Sequence, residues 1–460
     1  MKTIYALALA AAMMAQMLTY GAVMADPAAP AKADGPADPA RMDAIIQAYV
    51  TSHQFMGAVL VTKHGQVVLD KAYGYADVEW QVPNTTDTKF RIGSMTKQFT
   101  AAAILLLEER GKLKTSDLIK TYLPDAPASW DTITINNLLT HTSGVPNYTS
   151  QPGFETMMRQ PSKPADIIGL FRDKPLDFAP DSQFAYSNSN YYLLGLIVEK
   201  ASGQSYAEFI RANLLDPLGL KDTGYDSSTD ILPHRARGYA LGSKGLVNAQ
   251  FVDMSTPFAA GALYSTTHDL LTWEKALFGG KVVSAASLKK MTTPYKDGYG
   301  YGLSMNPEDG RKAIEHNGAI NGFNSDMAWF PDDDVNIIVL DNIAGPTATV
   351  LQGKLLQLVH GEAVVLPTER KEVHVSHDVL QSYVGTYELT PNFSITFTLE
   401  GDQLMTQATG QGKFPVFAES DTRFFTKVVD AEVEFVKDAN GKVTGMVLHQ
   451  NGRDIRGVRK

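Results

Sequence analysis

The chain reads as an α+β protein followed by a small all-β domain. Three observations predict this. Apolar residues alternate on either side of His64-Gly65, the mark of a β-hairpin. Segments of helical character then fill the middle of the chain, and strands return after about residue 299. From about residue 377 the pattern is period two, punctuated by Asn-Gly turns. Strands, then helices, then strands imply a sheet closed by both ends of the larger domain, with helices packed on it.

In chain order, residues 1–25 carry Lys2, an apolar run too short to span a bilayer comfortably, and Val23-Met24-Ala25 as a small-residue cleavage site. They read as a signal peptide, which predicts a periplasmic or secreted protein with no stable membrane insertion after cleavage. Residues 26–40, rich in Pro and Ala, read as a disordered tether. Residues 41–365 form the larger domain. "FMGAVLVTKHGQVVLDKAYGYAD" is its hairpin, and helices are expected over 94–110, 189–201, 207–215 and 269–280. Its later strands are "YGYGLSMN", "MAWFP" and "VNIIVLDN". The charged stretch 366–376 lacks apolar periodicity and reads as a linker. Residues 377–460 should be the all-β domain, with "FSITFTLEG" alternating and Asn440-Gly441 and Asn451-Gly452 as hairpin turns.

Composition narrows the function. A net charge of −9 and no Lys/Arg-rich run argue against nucleic acid and anionic membrane surfaces. Cysteine is absent, which removes disulfides, thiol catalysis, Cys-based zinc sites and a lipoprotein anchor. There is no Gly-x-Ser-x-Gly and no His-Glu-x-x-His, so neither an α/β-hydrolase elbow nor a zincin site is present. His374 and His377 lie in and beside the linker without a third ligand, so no metal and no cofactor is expected.

The chemistry concentrates in three short stretches. In "FRIGSMTKQF", Ser94 and Lys97 stand three apart at the start of an apolar helix, on one face. The bland reading of Ser94 is a helix cap. Spacing alone does not decide, because Ser287 and Lys290 repeat it in what reads as a surface helix. Yet a lysine at a partly buried helix start loses proton affinity by desolvation and can act as a base, and a serine beside it is then a nucleophile. In "FAYSNSNYYLLG", Tyr186-Ser187-Asn188 precedes a second helix. Tyr186 is either a half-buried aromatic or a base whose pKa is lowered by the Lys97 cation. In "EHNGAINGF", His316-Asn317-Gly318 stands ahead of a turn, and its bland reading is a strand ending.

These three elements, in this order, resemble the serine β-lactamase and penicillin-binding-protein superfamily. The closer likeness is to class C β-lactamases and their D-aminopeptidase, carboxypeptidase and family VIII esterase relatives. "LLTHTSGVPNY", "SNYYLLGLIVEKASGQSYAEFI" and "GALYSTTHDLLTW" extend the likeness over roughly 42–362, and the tail resembles the lipocalin-like domain often appended to this group. The resemblance implies a β-lactamase-like fold, an antiparallel sheet flanked by helices with an all-helical lobe, and then a barrel-like domain. It implies Ser94 as the acylated nucleophile and Lys97 with Tyr186 as the acid/base pair. Asn188 would steady the lysine and the substrate. The backbone N–H groups of Ser94 and Ala319 would form the oxyanion hole, and His316, Asn317 and Gly318 would line the substrate. His141, in "LLTHTSG", would belong to a structural loop.

One departure bears on substrate. β-Lactamases and carboxypeptidases have Lys-Thr-Gly where this chain has His316-Asn317-Gly318. Histidine is mostly neutral at pH 7, so a fixed cation for a substrate carboxylate is missing, although an imidazolium could replace it at mildly acidic pH. The reading is therefore an exported serine hydrolase acting on small amides, D-amino-acid peptides or esters. Its alternatives are a β-lactamase proper, a penicillin-binding receptor that stays acylated, and a wall-binding module with an inactive hydrolase domain. A receptor needs a transmembrane relay, and the intact Ser94, Lys97 and Tyr186 set argues against an inactive domain.

Overall fold

The computed structural model describes residues 35–242, 245–366, 369–410, 412–427, 431–450 and 453–460. The signal peptide and residues 26–34 of the tether lie outside the described residues. The described chain divides into two compact units, 35–362 and Ala363–Lys460.

The first unit begins with helix α1, Pro39–Thr51, which takes in two residues read as tether. Asp38 caps it, accepting from the Arg41 N–H at 2.9 Å, and Pro39 stands at its first position, where a missing N–H costs nothing. Five antiparallel strands follow the predicted split between the two ends of the unit. They are β1 Gly57–Lys63, β2 Gln66–Tyr73, β3 Ile314–Ile320, β4 Phe323–Phe330 and β5 Val335–Asp341, in the order β3-β4-β5-β1-β2. His64 and Gly65 both have positive φ, 49° and 73°, as a two-residue hairpin of matching twist requires. The inner strands β5 and β1 are buried along almost their whole length, hence the apolar runs "IIVL" and "GAVLV".

Between β2 and β3 the chain builds the helical lobe. Helix α2, Thr96–Glu109, is buried all round from Thr96 to Leu107, so it lies at the centre of the lobe. Helix α3, Asn188–Ser202, ends on Gly203 at φ 75°, and helix α4, Thr267–Phe278, stacks Trp273 on Phe99 at 4.0 Å. Helix α5, Thr347–Val359, packs on β4 and β5.

Two elements differ from expectation. The segment 207–215 is one α-turn stretch, Tyr206–Ile210, continued by a π-helical stretch, Arg211–Leu215. "YGYGLSMN" is not a strand but an irregular segment whose backbone pairs with β3 at the Ser304–Glu315 bridge. Gly302 explains this: it sits at φ 69°, and any side chain there would meet the Lys97 carbonyl oxygen at 2.7 Å. The segment is moulded onto α2 rather than paired in a sheet.

The second unit is a nine-stranded antiparallel sheet running from Gly385 to Arg459, preceded by a short helix, His377–Tyr383. Its two edge strands, Lys413–Pro415 and Phe417–Ala418, are separated in sequence by Val416 alone. Chain continuity therefore brings the edges together, and the sheet curls into a nearly closed barrel. Alternate residues such as Tyr387, Ile395, Phe397, Val433 and Phe435 fill its interior. Gly441 turns at φ 77° as expected, whereas Asn451 and Gly452 lie outside the described residues. Val373 and Val375, read as linker, belong to this unit: the Val373 N–H donates to the Ala418 carbonyl, and Val375 is buried in its core.

Candidate active site

Ser94 lies in a single 3-10 turn, Gly93–Met95, immediately before α2. Backbone contacts set its position. Gly93 has φ 51°, and a side chain there would meet the Ala319 backbone nitrogen at 2.9 Å. A side chain at Gly318 would meet the Ile92 carbonyl oxygen at 1.9 Å, and Ser325 Oγ donates to that same oxygen at 3.0 Å. Two glycines thus let β3 lie directly against the turn that carries Ser94. Because β3 is an edge strand and Glu315 pairs outward with Ser304, the backbone groups of Asn317 and Ala319, in the same phase, also face outward. The Ala319 N–H is therefore turned to the Ser94 side.

Lys97, one turn along α2, is fully buried. Its Nζ lies 2.9 Å from Ser94 Oγ, 2.8 Å from Asn188 Oδ1 and 2.8 Å from the Ala260 carbonyl oxygen. All three partners are neutral. Burial therefore pushes the ammonium well below the usual lysine range. In the neutral amine, two N–H bonds serve Asn188 and Ala260, and the lone pair is left for the Ser94 hydroxyl proton. Asn188 is itself held, its N–H donating to Asn147 Oδ1 at 3.1 Å and its Nδ2 lying 3.4 Å from Thr149 Oγ1.

Tyr186 is hydrogen-bonded to Ser94, and its ring centroid lies 4.8 Å from Lys97 Nζ. Its phenol is not the pre-ionised base that the sequence allowed. Burial raises its pKa, and the bond to Ser94 offsets this only in part. A phenol that keeps its proton is suited to donate one, and a desolvated amine is suited to accept one.

His141 packs among aromatic rings, 4.4 Å from Tyr186, 5.1 Å from Tyr191 and 4.9 Å from Tyr299. Its Nδ1 accepts from the Ser187 N–H and from Asn190 Nδ2, both at 3.2 Å. It does not reach Ser94 but anchors the Tyr186-Ser187-Asn188 segment. His316 is buried rather than presented to solvent, while Asn317 and Ala319 are exposed. Burial, then the nearby Lys97, hold His316 down at about 3. This environment disfavours the imidazolium that the sequence allowed at mildly acidic pH.

The second Ser-x-x-Lys pair does not assemble. Ser284 Oγ donates to Ser287 Oγ at 3.3 Å, and Lys290 pairs with Glu108 at 2.8 Å. Sequence reasoning missed Ala260, Asn147, Thr149 and Tyr299. The only signal for Tyr299 was the glycine pair around it in "YGYG", which marks close packing rather than a strand.

Comparison with known proteins bears on the family and the fold. A family model described as "Beta-lactamase" matches residues 42–361, and one described as "Domain of unknown function (DUF3471)" matches 369–459. Penicillin-binding protein 4* of Bacillus subtilis (strain 168) is 29% identical over 88% of this chain and 95% of its own length. The octameric penicillin-binding protein homologue from Pyrococcus abyssi is 27% identical, with a TM-score of 0.66 over 92% of this chain and all of its own. The D-amino acid amidase from Ochrobactrum anthropi SV3 is 25% identical, with a TM-score of 0.60 over 70% of this chain and 96% of its own. The chain belongs to the beta-lactamase family, within the superfamily of serine hydrolases that includes the penicillin-binding proteins.

Proposed function

We propose that this protein is an exported serine hydrolase that forms an acyl-enzyme on Ser94 and cleaves small amides, D-amino-acid peptides or esters that need no carboxylate contact. The observation that carries the reading is Lys97. A fully buried amine with neutral partners, 2.9 Å from a half-buried serine hydroxyl, is a base aimed at a nucleophile.

The steps follow from the geometry. Lys97 takes the Ser94 proton as Oγ attacks the substrate carbonyl carbon. The carbonyl π electrons move to oxygen, which the Ser94 and Ala319 N–H groups receive; such donors are worth about 10²–10³ in rate each. The Tyr186 phenol protonates the departing nitrogen or oxygen and regains a proton from Lys97. Water then attacks the acyl-enzyme with Lys97 as base, and the proton returns to Ser94 Oγ as the acid leaves. The neutral His316 supports the substrate preference, since it offers no fixed charge to a carboxylate. The amidase among the structural relatives supports amides.

The test is a panel of chromogenic substrates: a D-alanyl anilide, a short acyl ester and a cephalosporin. Turnover of the anilide or the ester, with cephalosporin much slower, is expected. Cephalosporin hydrolysis faster than both would overturn the substrate assignment.

A further inference from the structure

His316 is held from both sides. Its Nδ1 lies 2.6 Å from the Asn317 carbonyl oxygen, which can only accept, so Nδ1 carries the proton. In a neutral imidazole the other nitrogen then holds a lone pair. The Tyr299 hydroxyl stands 2.9 Å from that Nε2 and donates to it. Tyr299 is buried, with its ring 5.8 Å from His316, 6.2 Å from Tyr186 and 4.9 Å from His141. The neighbouring hydroxyl, that of Tyr191, spends its own proton on the Leu139 carbonyl at 2.9 Å and so does not donate to Tyr299.

We propose that Tyr299 is a specificity-determining positioning residue: its hydroxyl occupies the Nε2 lone pair of His316, so that the strand facing Ser94 offers substrate no positive charge. The proposal rests on the reading of this cleft as a hydrolase site. The groups facing His316 are Lys97 from α2, His141 from the loop before Thr142, Tyr186 from the segment before α3, and Tyr299 itself. None is a carboxylate. Lys97, His141 and His316 each oppose a proton on the others, so the pocket favours a single proton, the one Lys97 takes from Ser94. With Tyr299 donating to Nε2, a proton can reach that nitrogen only if the Tyr299 hydroxyl turns its own proton away, so Tyr299 acts beside burial and Lys97 in keeping the ring neutral. The same contact sets the ring against the Asn317 carbonyl, two residues before the Ala319 N–H. The tyrosine thus links substrate class to the proton that drives acylation.

The experiment uses the full chain with ¹⁵N-labelled histidine, the His316 signals being those absent from His316→Gln. The wild type should show a neutral, Nδ1-protonated His316 from pH 8 down to pH 5. An imidazolium, or an Nε2-protonated ring, in that range would overturn the proposal even if no variant folds. In Tyr299→Phe the Nε2 resonance should move to the position of an unbonded nitrogen. The cephalosporin-to-ester ratio of kcat/KM should then climb as pH falls, by up to about tenfold per pH unit, the slope of a single titrating group. The ratio is read because the Lys97 titration is common to both substrates. It should stay flat in the wild type and in the Tyr299→Phe/His316→Gln double variant. An unmoved Nε2 resonance or a flat ratio in Tyr299→Phe would sink the idea. Failure of the hydrolase reading is distinguishable: Ser94 would then take no fluorophosphonate label, while the tautomer of His316 still decides the role of Tyr299.

Discussion

At Ser94 the decisive contrast is between two serines with the same spacing to a lysine. Ser94 finds its lysine buried 2.9 Å away among uncharged partners; Ser287 finds its own turned away to Glu108. Because Lys97 and Tyr186 act on one hydroxyl, their losses should not multiply. Lys97→Ala and Tyr186→Phe should each lower kcat/KM by on the order of 10²–10⁴, with the double variant little worse than either. Rates of the three variants check this. The pH dependence has a definite sign: the neutral amine is the active form, so kcat/KM should fall as pH drops through the lowered Lys97 pKa, well below the usual lysine range. His316→Lys should raise the cephalosporin-to-ester ratio. A charge-assisted hydrogen bond is worth about 1.5–3 kcal/mol, hence roughly ten- to a hundredfold. These residues were legible because each touches the site through its own short motif. Ala260 and Tyr299 were not, since each reaches the cluster from a segment remote in sequence and carries no pattern of its own, and Asn147 lay inside "LLTHTSGVPNY" with nothing to single it out.

The elements were legible where burial imposes a period. The hairpin at His64-Gly65, helix α2 and the tail strands follow their apolar patterns. The reading failed at "YGYGLSMN", where glycines that permit contact with α2 imitate a strand, and at 211–215, where the helix widens. Helix α4 hides a feature that no pattern announces. Glu274 is buried against the sheet, accepting from Asn336 Nδ2 at 2.6 Å, and burial lifts its pKa from 4.5 to about 8. The folded state therefore keeps a proton that the unfolded chain releases. Its contribution is fully present below about pH 4.5 and is lost as pH rises through about 8. Glu274→Gln cannot ionise. Between pH 5 and pH 8.5 its unfolding free energy should decline less than that of the wild type, by on the order of 3–5 kcal/mol. Denaturant titrations at both pH values check this, and parallel declines would count against a protonated Glu274.

For the whole molecule, the division into a hydrolase unit and a barrel unit has a direct consequence. The proposed nucleophile, base, acid and both oxyanion donors all come from residues 94–319. A chain ending at Leu366 should fold by circular dichroism and still react at Ser94, with any change confined to substrate range. A folded but unreactive truncation would place a barrel residue in the chemistry. The central claim is acylation of Ser94 by way of Lys97, and one measurement addresses it most directly. The full chain is treated with a fluorophosphonate, weighed intact and mapped by peptide. We predict a single adduct, on Ser94, absent from Ser94→Ala and formed far more slowly in Lys97→Ala. An adduct on Ser287 or another serine, or one that persists in Ser94→Ala, would contradict the account.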